Sequence, residues 1–452
     1  MAVIPGNVDA ELAPPMTVPL RHFVVGLGLL LLALIVGAAN GFEWAMGAGG
    51  VSYVHLLLAG WICVTIMGAM TQFVPVWSGA SLHSKRLATA QLWLVTGGLL
   101  SFVTAMLAGA FGWLTIGGLV MLSGFWTFAY NIGRTLLSAR PWDVTEQHFA
   151  IALGFFALLT VLGVSLAIGV TRTVFSTLPV GHENVRMAHA TIALFGAVMT
   201  TIIGALYQLG TMFTQTELDR VDVRIQRFET AAYPIGVIAL AGGRLFESVM
   251  VARVGGLFVA LSVLGIGVIL LRRLLETRVA RTPMLNRYAV VATAMVLWSV
   301  LALPAWLADP LAFGSLYGAP GTVHLLVFGI VGFVVAGTLY HVIPFIVWVH
   351  RYSDLLGLAD VPLIDGLYDD RLARWDFVLL STGTVGLIAS DLATVPAAAR
   401  SLSGGLLIIG ASVFVGNMLL VLYRHSPHGF VGLLCSRFAN EREKPMRSTD
   451  RT

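Results

Sequence analysis

Residues 322–344 read TVHLLVFGIVGFVVAGTLYHVIP, and this stretch contains no acidic residue, lysine or arginine. An α-helix rises about 1.5 Å per residue, so a helix of this length can cross a hydrocarbon core of roughly 30 Å. Comparable apolar runs recur along the whole chain, separated by shorter polar segments. This repetition predicts a polytopic helical membrane protein.

The composition favours the same class. The 452 residues are 57% hydrophobic and 11% charged, and the mean hydropathy of the chain is +0.87. Soluble domains carry roughly 25% charged residues, so this chain cannot build a water-facing surface, and we expect no nucleic-acid partner. The predicted fold class is an all-α membrane protein with about twelve transmembrane helices, at residues 22–39, 52–75, 90–109, 113–133, 148–170, 188–213, 229–244, 249–271, 288–308, 323–347, 375–396 and 403–423.

No linker rich in Pro, Gly or Ser divides the chain. The predicted organisation is a cytoplasmic tail at 1–20, a twelve-helix transmembrane domain at 21–425 and a second cytoplasmic tail at 426–452. Both termini are placed inside because cytoplasmic loops carry an excess of Lys and Arg. With this orientation 22 of the 27 Lys and Arg residues lie inside, and the other five are Arg172, Arg186, Arg244, Arg253 and Arg400. We therefore expect a multi-pass protein of a prokaryotic plasma membrane, with the lipid bilayer as a partner.

Helices two, six and ten share an internal repeat that begins at His55, Thr191 and His324. The repeated positions carry glycine five residues later, glycine thirteen residues later and a polar residue seventeen residues later: Gly60, Gly196, Gly329; Gly68, Gly204, Gly337; and Gln72, Gln208, His341. Small residues let membrane helices approach closely, but close approach does not explain the polar position. Because the anchors lie 136 and 133 residues apart, we expect a pseudo-threefold arrangement of four-helix units.

Location separates the eleven histidines. Three of them, His55, His189 and His324, begin predicted helices near the outer surface, and His341 lies deeper. Polar residues inside a bilayer are costly and usually face a partner, a cavity or a cofactor. The remaining seven lie at helix ends or in loops, where a solvated surface role is expected: His22, His83, His148, His182, His350, His425 and His428.

The matched positions of His55 and His324 suit a haem. A neutral imidazole can be buried without the cost of an ion, and its free nitrogen binds iron. A low-spin haem takes two such ligands from opposing helices at equal depth, which the repeat supplies. Glycines clear side-chain volume for a flat macrocycle, so the candidate haem-binding residues are His55, His324, Gly60, Gly68, Gly329 and Gly337. The alternative is that the two histidines each bond a backbone carbonyl.

His189 lies two residues before its anchor, Thr191. Two residues of an α-helix rotate a side chain by about 200°. We therefore expect His189 to point away from the face that matches His55 and His324, into a neighbouring compartment. There it is a candidate ligand of a second metal or haem, including copper, or it makes a hydrogen bond alone.

Residues 322–344 resemble helix ten of subunit I of the haem-copper oxidase superfamily, which includes cytochrome c oxidases and nitric oxide reductases. That helix carries a His-x-His pattern, then glycine, histidine and proline at fixed distances, and His324, Gly337, His341 and Pro344 fall at the matching offsets. The family has twelve helices in a pseudo-threefold arrangement. The resemblance implies that His55 and His324 hold a low-spin haem b.

The chain also departs from the family pattern. Thr322 stands where the family has the ligand of the oxygen-reducing haem. His189 matches the helix-six copper ligand, but helix seven reads ETAAYPIGVIALAGG and lacks the pair of histidines that completes a three-histidine copper site. A second similarity, to the NnrS family of membrane haem proteins linked to nitric oxide tolerance, rests on PVWSG at residues 75–79.

These features predict an electron-transfer protein or one of O2- or NO-related redox chemistry, with oxidoreductase activity left open. The resemblance implies an electron donor at the outer face (cytochrome c, a cupredoxin or quinol) and a small redox subunit as partners. The alternative is a twelve-helix secondary transporter. Transporters of the major facilitator type repeat in two six-helix halves, whereas the repeat here spans about a third of the chain.

Overall fold

The structure is a computed structural model that describes residues 14–43, 47–176, 179–428 and 432–433. Most of the predicted tails at 1–20 and 426–452 lie outside the described residues. No β-strand occurs in these described ranges, and twelve long helices follow each other along them: α1 (Thr17–Ala39), α2 (Ala48–Ser78), α3 (Lys85–Leu107), α4 (Leu114–Leu137), α5 (Val144–Gly169), α6 (His182–Thr214), α7 (Arg220–Leu245), α8 (Val249–Glu276), α9 (Pro283–Ala308), α10 (Leu325–Arg351), α11 (Asp370–Leu392) and α12 (Ala397–His425). The prediction of an all-helical membrane protein is confirmed.

Within the part of the chain that the structure describes, eleven helices are long and apolar enough to cross a membrane. Helix α7 is not among them, because its first half, RVDVRIQRFE, is strongly charged. The predicted start of this helix at residue 229 is too late. Asp219 and Asp222 form a reciprocal capping box that extends the helix back to Arg220.

Ion pairs with α8 stabilise the charged start of α7. Arg272 hydrogen-bonds Asp219 and lowers the pKa of that carboxyl to about 2. The buried Asp222 carboxylate pairs with Arg272 Nη1 at 2.6 Å and with Arg273 Nη2 at 2.9 Å. These ion pairs neutralise the acidic side chains at the start of α7. The segment before residue 229 therefore forms helix, although its charge predicted a loop.

Helices α2, α6 and α10 are the most buried. The most apolar windows of these three helices are 78%, 83% and 89% buried, against 28–56% for the other candidate spans. In each run of four consecutive helices (unit one, α1–α4; unit two, α5–α8; unit three, α9–α12), the second helix contacts the other three. The units join where α4 contacts α5, α8 contacts α9 and α12 contacts α1.

Each of these inner helices contains a π-helical stretch: Leu56–Ile62 in α2, Ile192–Met199 in α6 and Leu325–Gly332 in α10. The stretches begin directly after the repeat anchors His55, Thr191 and His324. A π-turn adds a residue to the helical turn and is frequent at functional sites. The same irregularity therefore occupies the same repeat position in three helices.

The repeated glycines bring helices of the same unit close together. A Cβ at Gly68 would lie 2.6 Å from His22 Cβ, and one at Gly60 would lie 3.0 Å from a methyl carbon of Leu99. The Cβ positions of Gly329 and Gly337 are likewise bordered by α9. Neighbouring protein therefore takes the space expected for a macrocycle. The haem-binding role of Gly60, Gly68, Gly329 and Gly337 stays a prediction that this packing does not support.

Candidate functional site

The structure places His55 of α2 beside His189 of α6. Their ring centroids are 6.4 Å apart, and the ring planes differ by 16°. Both side chains are partly exposed, although their helices are the inner ones. Phe102 of α3 packs on the His55 ring with a centroid distance of 4.8 Å.

A backbone carbonyl holds one nitrogen of each ring. His55 Nδ1 lies 2.8 Å from the carbonyl oxygen of Val51, and His189 Nδ1 lies 2.9 Å from that of Leu159. Since a carbonyl only accepts, each Nδ1 carries the proton and each neutral ring keeps a lone pair on Nε2. Metal-binding histidines use this tautomer, but His22, His148 and His350 make the same Nδ1 bond, so the bond alone does not indicate a metal.

The sequence predicts that His189 points away from the face of α6 that carries its anchor, Thr191. The rotation relative to Thr191 is as expected, because Thr191 faces Arg244 of α7, whose Nη1 donates to the Thr191 hydroxyl at 2.7 Å. The unexpected result concerns the partner of His55: the histidine ring beside it is that of His189, whereas the sequence predicts His324. The His55 ring contacts Phe102 of α3 on its own side and lies beside the rotated His189 ring of α6.

His324 has a different environment. Its Nδ1 bonds Asp391 at the end of α11, and Arg400 donates to the same carboxylate at 2.7 Å. The ring is buried and lies parallel to that of Phe328. A carboxylate on Nδ1 also orients histidine for a metal, so His324 keeps the chemistry of a ligand, but the measured ring contacts of His55 are with His189 and Phe102.

His341 borders a cavity of about 710 Å³ between α6, α10 and the loops that follow α8 and α10. Its ring packs against Phe213 at 4.7 Å and Phe345 at 5.6 Å between centroids. The cavity lies at the end of the bundle where α1 begins and α12 ends, which we call the termini face. His341 is therefore separate from the His55–His189 pair, which lies near the opposite face.

Two histidines expected on the surface are buried. His22 is 1% exposed and His148 is 0% exposed. Each lies in the second turn of its helix, where neighbouring helices cover it, and each bonds the carbonyl of the preceding turn through Nδ1. Sequence position near a helix end was a poor guide to their exposure.

His148 belongs to a polar cluster that the sequence reading did not identify. Its Nε2 lies 3.2 Å from Glu229 Oε1 of α7, and the Tyr207 hydroxyl of α6 donates to Glu229 Oε2 at 2.8 Å. The His148 and Glu229 side chains are fully buried.

The same arrangement recurs in the other two units. In unit three, Arg287 of α9 and Tyr340 of α10 both donate to the buried Asp376 of α11. In unit one, the Gln91 amide of α3 lies 3.5 Å from His22 Nε2 and from the Thr71 hydroxyl. The hydroxyl residues Thr71, Tyr207 and Tyr340 all stand sixteen positions after their anchors, one before the polar position of the repeat, which is the signal that could have revealed them.

Among the described residues, no group of three or more His, Cys, Asp or Glu side chains is arranged to hold a metal ion. The chain matches no protein-family model and no curated protein. The chemistry of the site therefore has to be argued from the two-histidine pair and its surroundings.

Proposed function

We propose that the chain is a haem-binding integral membrane protein that transfers electrons or takes part in O2- or NO-related redox chemistry. The observation that carries this proposal is the His55–His189 pair. Two neutral imidazoles, each oriented through Nδ1 by a carbonyl, come from two inner helices and lie beside each other.

The spacing of the two rings fits two imidazoles on one metal. Imidazole nitrogen binds metals such as Zn²⁺ at about 2.0–2.1 Å, so two end-on rings would have centroids roughly 6 Å apart. The measured separation is 6.4 Å. Two protein ligands suit a six-coordinate haem, whose macrocycle supplies the other four, better than a copper ion that needs three histidines.

We therefore assign His55 and His189 as the first candidate ligands of a haem b. A bound haem would supply a one-electron ferric–ferrous couple. The protein residues orient the two imidazoles, and Phe102 packs on one ring. His324, oriented by Asp391, is the alternative partner of His55 or a ligand of a second haem.

We further propose that the fold is a pseudo-threefold arrangement of four-helix units with α7 as a twelfth span. The equal position of the π-helical stretches, the shared contact pattern of α2, α6 and α10, and the three polar clusters support this arrangement. Helix α7 exposes Ile235 and Ile238, at 56% and 61%, as lipid-facing helices do.

The proposed orientation has the termini face in the cytoplasm of a prokaryotic cell, as the excess of Lys and Arg on that side favours. The His55–His189 pair then lies near the outer face. An outer-face electron donor (cytochrome c, a cupredoxin or quinol) and a small redox subunit are the partners that fit this location.

The test is a reduced-minus-oxidised absorption spectrum of the purified full chain. Sharp α-bands of a six-coordinate b haem are expected, and His55→Ala and His189→Ala should each remove them, while His324→Ala and the exposed control His83→Ala should not. Loss in His324→Ala with retention in His189→Ala would assign the haem to His55 and His324. A carbon monoxide difference spectrum would reveal a five-coordinate second haem.

A secondary transporter is the second candidate. The cavity of about 710 Å³ at the termini face and the buried ionisable clusters favour it, because intramembrane ionisable residues often mark substrate or proton pathways. A featureless haem spectrum of the native chain would favour this function over the first.

A further inference from the structure

The three polar clusters occupy one position in the three units but differ in chemistry. Each joins a side chain of the first helix to one of the third helix, beside a hydroxyl of the second. The groups are His22, Gln91 and Thr71 in unit one, His148, Glu229 and Tyr207 in unit two, and Arg287, Asp376 and Tyr340 in unit three. Comparing them shows what each cluster can do with a proton.

Unit one has no acid, because Gln91 does not titrate. In unit three, the Arg287 guanidinium forms an ion pair with Asp376. In unit two, both His148 and Glu229 can gain or lose a proton, and their atoms are 3.2 Å apart. Among the three clusters, only this one sets a histidine directly against a carboxylate.

We propose that His148, Glu229 and Tyr207 form a proton-binding site inside the membrane domain that exchanges protons with the termini face. The site takes up one proton per protein, and it requires no electron transfer. The incoming proton adds to the Glu229 carboxylate or, after transfer along the 3.2 Å contact, to the His148 imidazole. Uptake of one proton raises the net charge of the site by one.

The surroundings of the pair contain few other charges. Tyr207 of α6 donates to Glu229, and Tyr233 of α7 donates to the Phe195 carbonyl instead. At the start of α5, Asp143 and Glu146 form a capping box. On the α8 side, Arg273 is the nearest cation bordering the cleft that Tyr207 also lines, and it pairs with Asp222 and Glu276.

That cleft supplies a route to the termini face. It is lined by Tyr207, Thr211, Leu218 and Arg273 among others, and its volume of about 10 Å³ is close to the minimum for one water molecule. The Tyr207 hydroxyl connects the cleft to Glu229 through a hydrogen bond of 2.8 Å. In the proposed route, a proton reaches the carboxylate from the cleft through the Tyr207 hydroxyl.

The test is pH-difference infrared spectroscopy of the full-length protein in detergent or lipid nanodiscs. Lowering the pH should produce a protonated-carboxyl band that shifts in heavy water and is lost in Glu229→Gln. This variant copies the chemistry of unit one, where Gln91 already packs beside His22, so it should fold. Gln91→Glu is the matched gain variant and should add a second carboxyl band.

Two further variants keep the outcome decisive. His148→Gln should retain the band and displace its pH midpoint, and Tyr207→Phe should retain it and slow its hydrogen–deuterium exchange. Circular dichroism would verify the helix content of each variant. A native protein without the band, or a band unchanged in folded Glu229→Gln, would overturn the proposal. The haem spectrum is a separate measurement, so the two proposals can fail independently.

Discussion

At the residue scale, the chemistry of a buried histidine depends on the hydrogen-bond partners of its ring nitrogens. His55 and His189 bond carbonyls, His324 bonds a carboxylate, and His148 bonds both a carbonyl and a carboxylate. A carbonyl fixes the neutral tautomer and leaves a lone pair for a metal. A carboxylate also provides a place for a proton, so the same residue type serves two kinds of site.

The space around His189 depends on Gly163 of α5. A Cβ at that position would lie 3.0 Å from His189 Cε1, so Gly163→Val should displace the ring. Disturbing the groups that orient a metal-bound histidine typically costs about 10- to 100-fold in affinity, and we expect haem retention to fall by roughly that factor. Haem content per purified protein measures the effect.

The matched control is Gly154→Val on the same helix, where a Cβ would meet nothing within 4 Å. Both changes cost similar helix propensity, so only the contact with His189 differs. Equal haem content in the two variants would contradict the assignment of His189.

Asp391 provides a test of His324. Asp391→Asn removes the charge that bonds His324 and Arg400, and hydrogen bonds to charged groups contribute about 1.5–3 kcal/mol. We expect the free energy of unfolding to fall by about 1.5–3 kcal/mol, while the six-coordinate haem spectrum is unchanged. Asp360→Asn, at an exposed loop position, is the control. A shifted or absent haem spectrum in Asp391→Asn would instead identify His324 as a ligand.

At the scale of the helices, apolar runs predicted where the chain crosses the membrane but not where helices begin. Helix α7 starts at Arg220 because Asp219 and Asp222 cap it and arginines of α8 pair with these carboxylates, and the local sequence does not reveal the pairing. The π-helical stretches also depend on packing around the anchors and have no simple composition signal. The burial of His22 and His148 is likewise decided by neighbouring helices.

The start of α7 makes a sharp stability prediction. Asp222→Ala leaves the buried Arg273 without its main carboxylate and removes half of the capping box. Breaking a buried ion pair by removing one partner costs about 3–5 kcal/mol, and we expect a loss of that size. Thermal unfolding in detergent, followed by circular dichroism, would measure it.

Glu276→Ala is the control, since Glu276 is half exposed and pairs with the same arginine. An exposed pair contributes about 0–1 kcal/mol, so this variant should unfold near the native temperature. A loss in Asp222→Ala as small as in the control would show that the cap and the buried pair add little to the fold.

At the scale of the whole molecule, the sequence repeat identified the three inner helices and one member of the His55–His189 pair. It did not predict which rings meet. Residues at the same repeat position each face the matching helix of their own unit, so they point to different places in the molecule. His55 faces Phe102 of α3, whereas His324 faces Asp391 of α11, so each anchor looks toward the third helix of its own unit. His189 reaches His55 because it departs from the anchor position by two residues.

The orientation of the whole molecule determines which compartment would supply the proposed electron donor and which would supply the proposed proton. Ser81 and Thr173 are exposed and lie in loops at opposite faces, after α2 and after α5. In a Cys435→Ser background, with Cys63 buried, Ser81→Cys and Thr173→Cys each provide a single accessible thiol. A membrane-impermeant thiol reagent applied to intact cells should label Thr173→Cys and should label Ser81→Cys only after permeabilisation, because the arginine-rich loops lie on the side of Ser81. The reverse labelling would place the His55–His189 pair near the cytoplasm, and the donor would then have to be an inner-face protein or a membrane quinol.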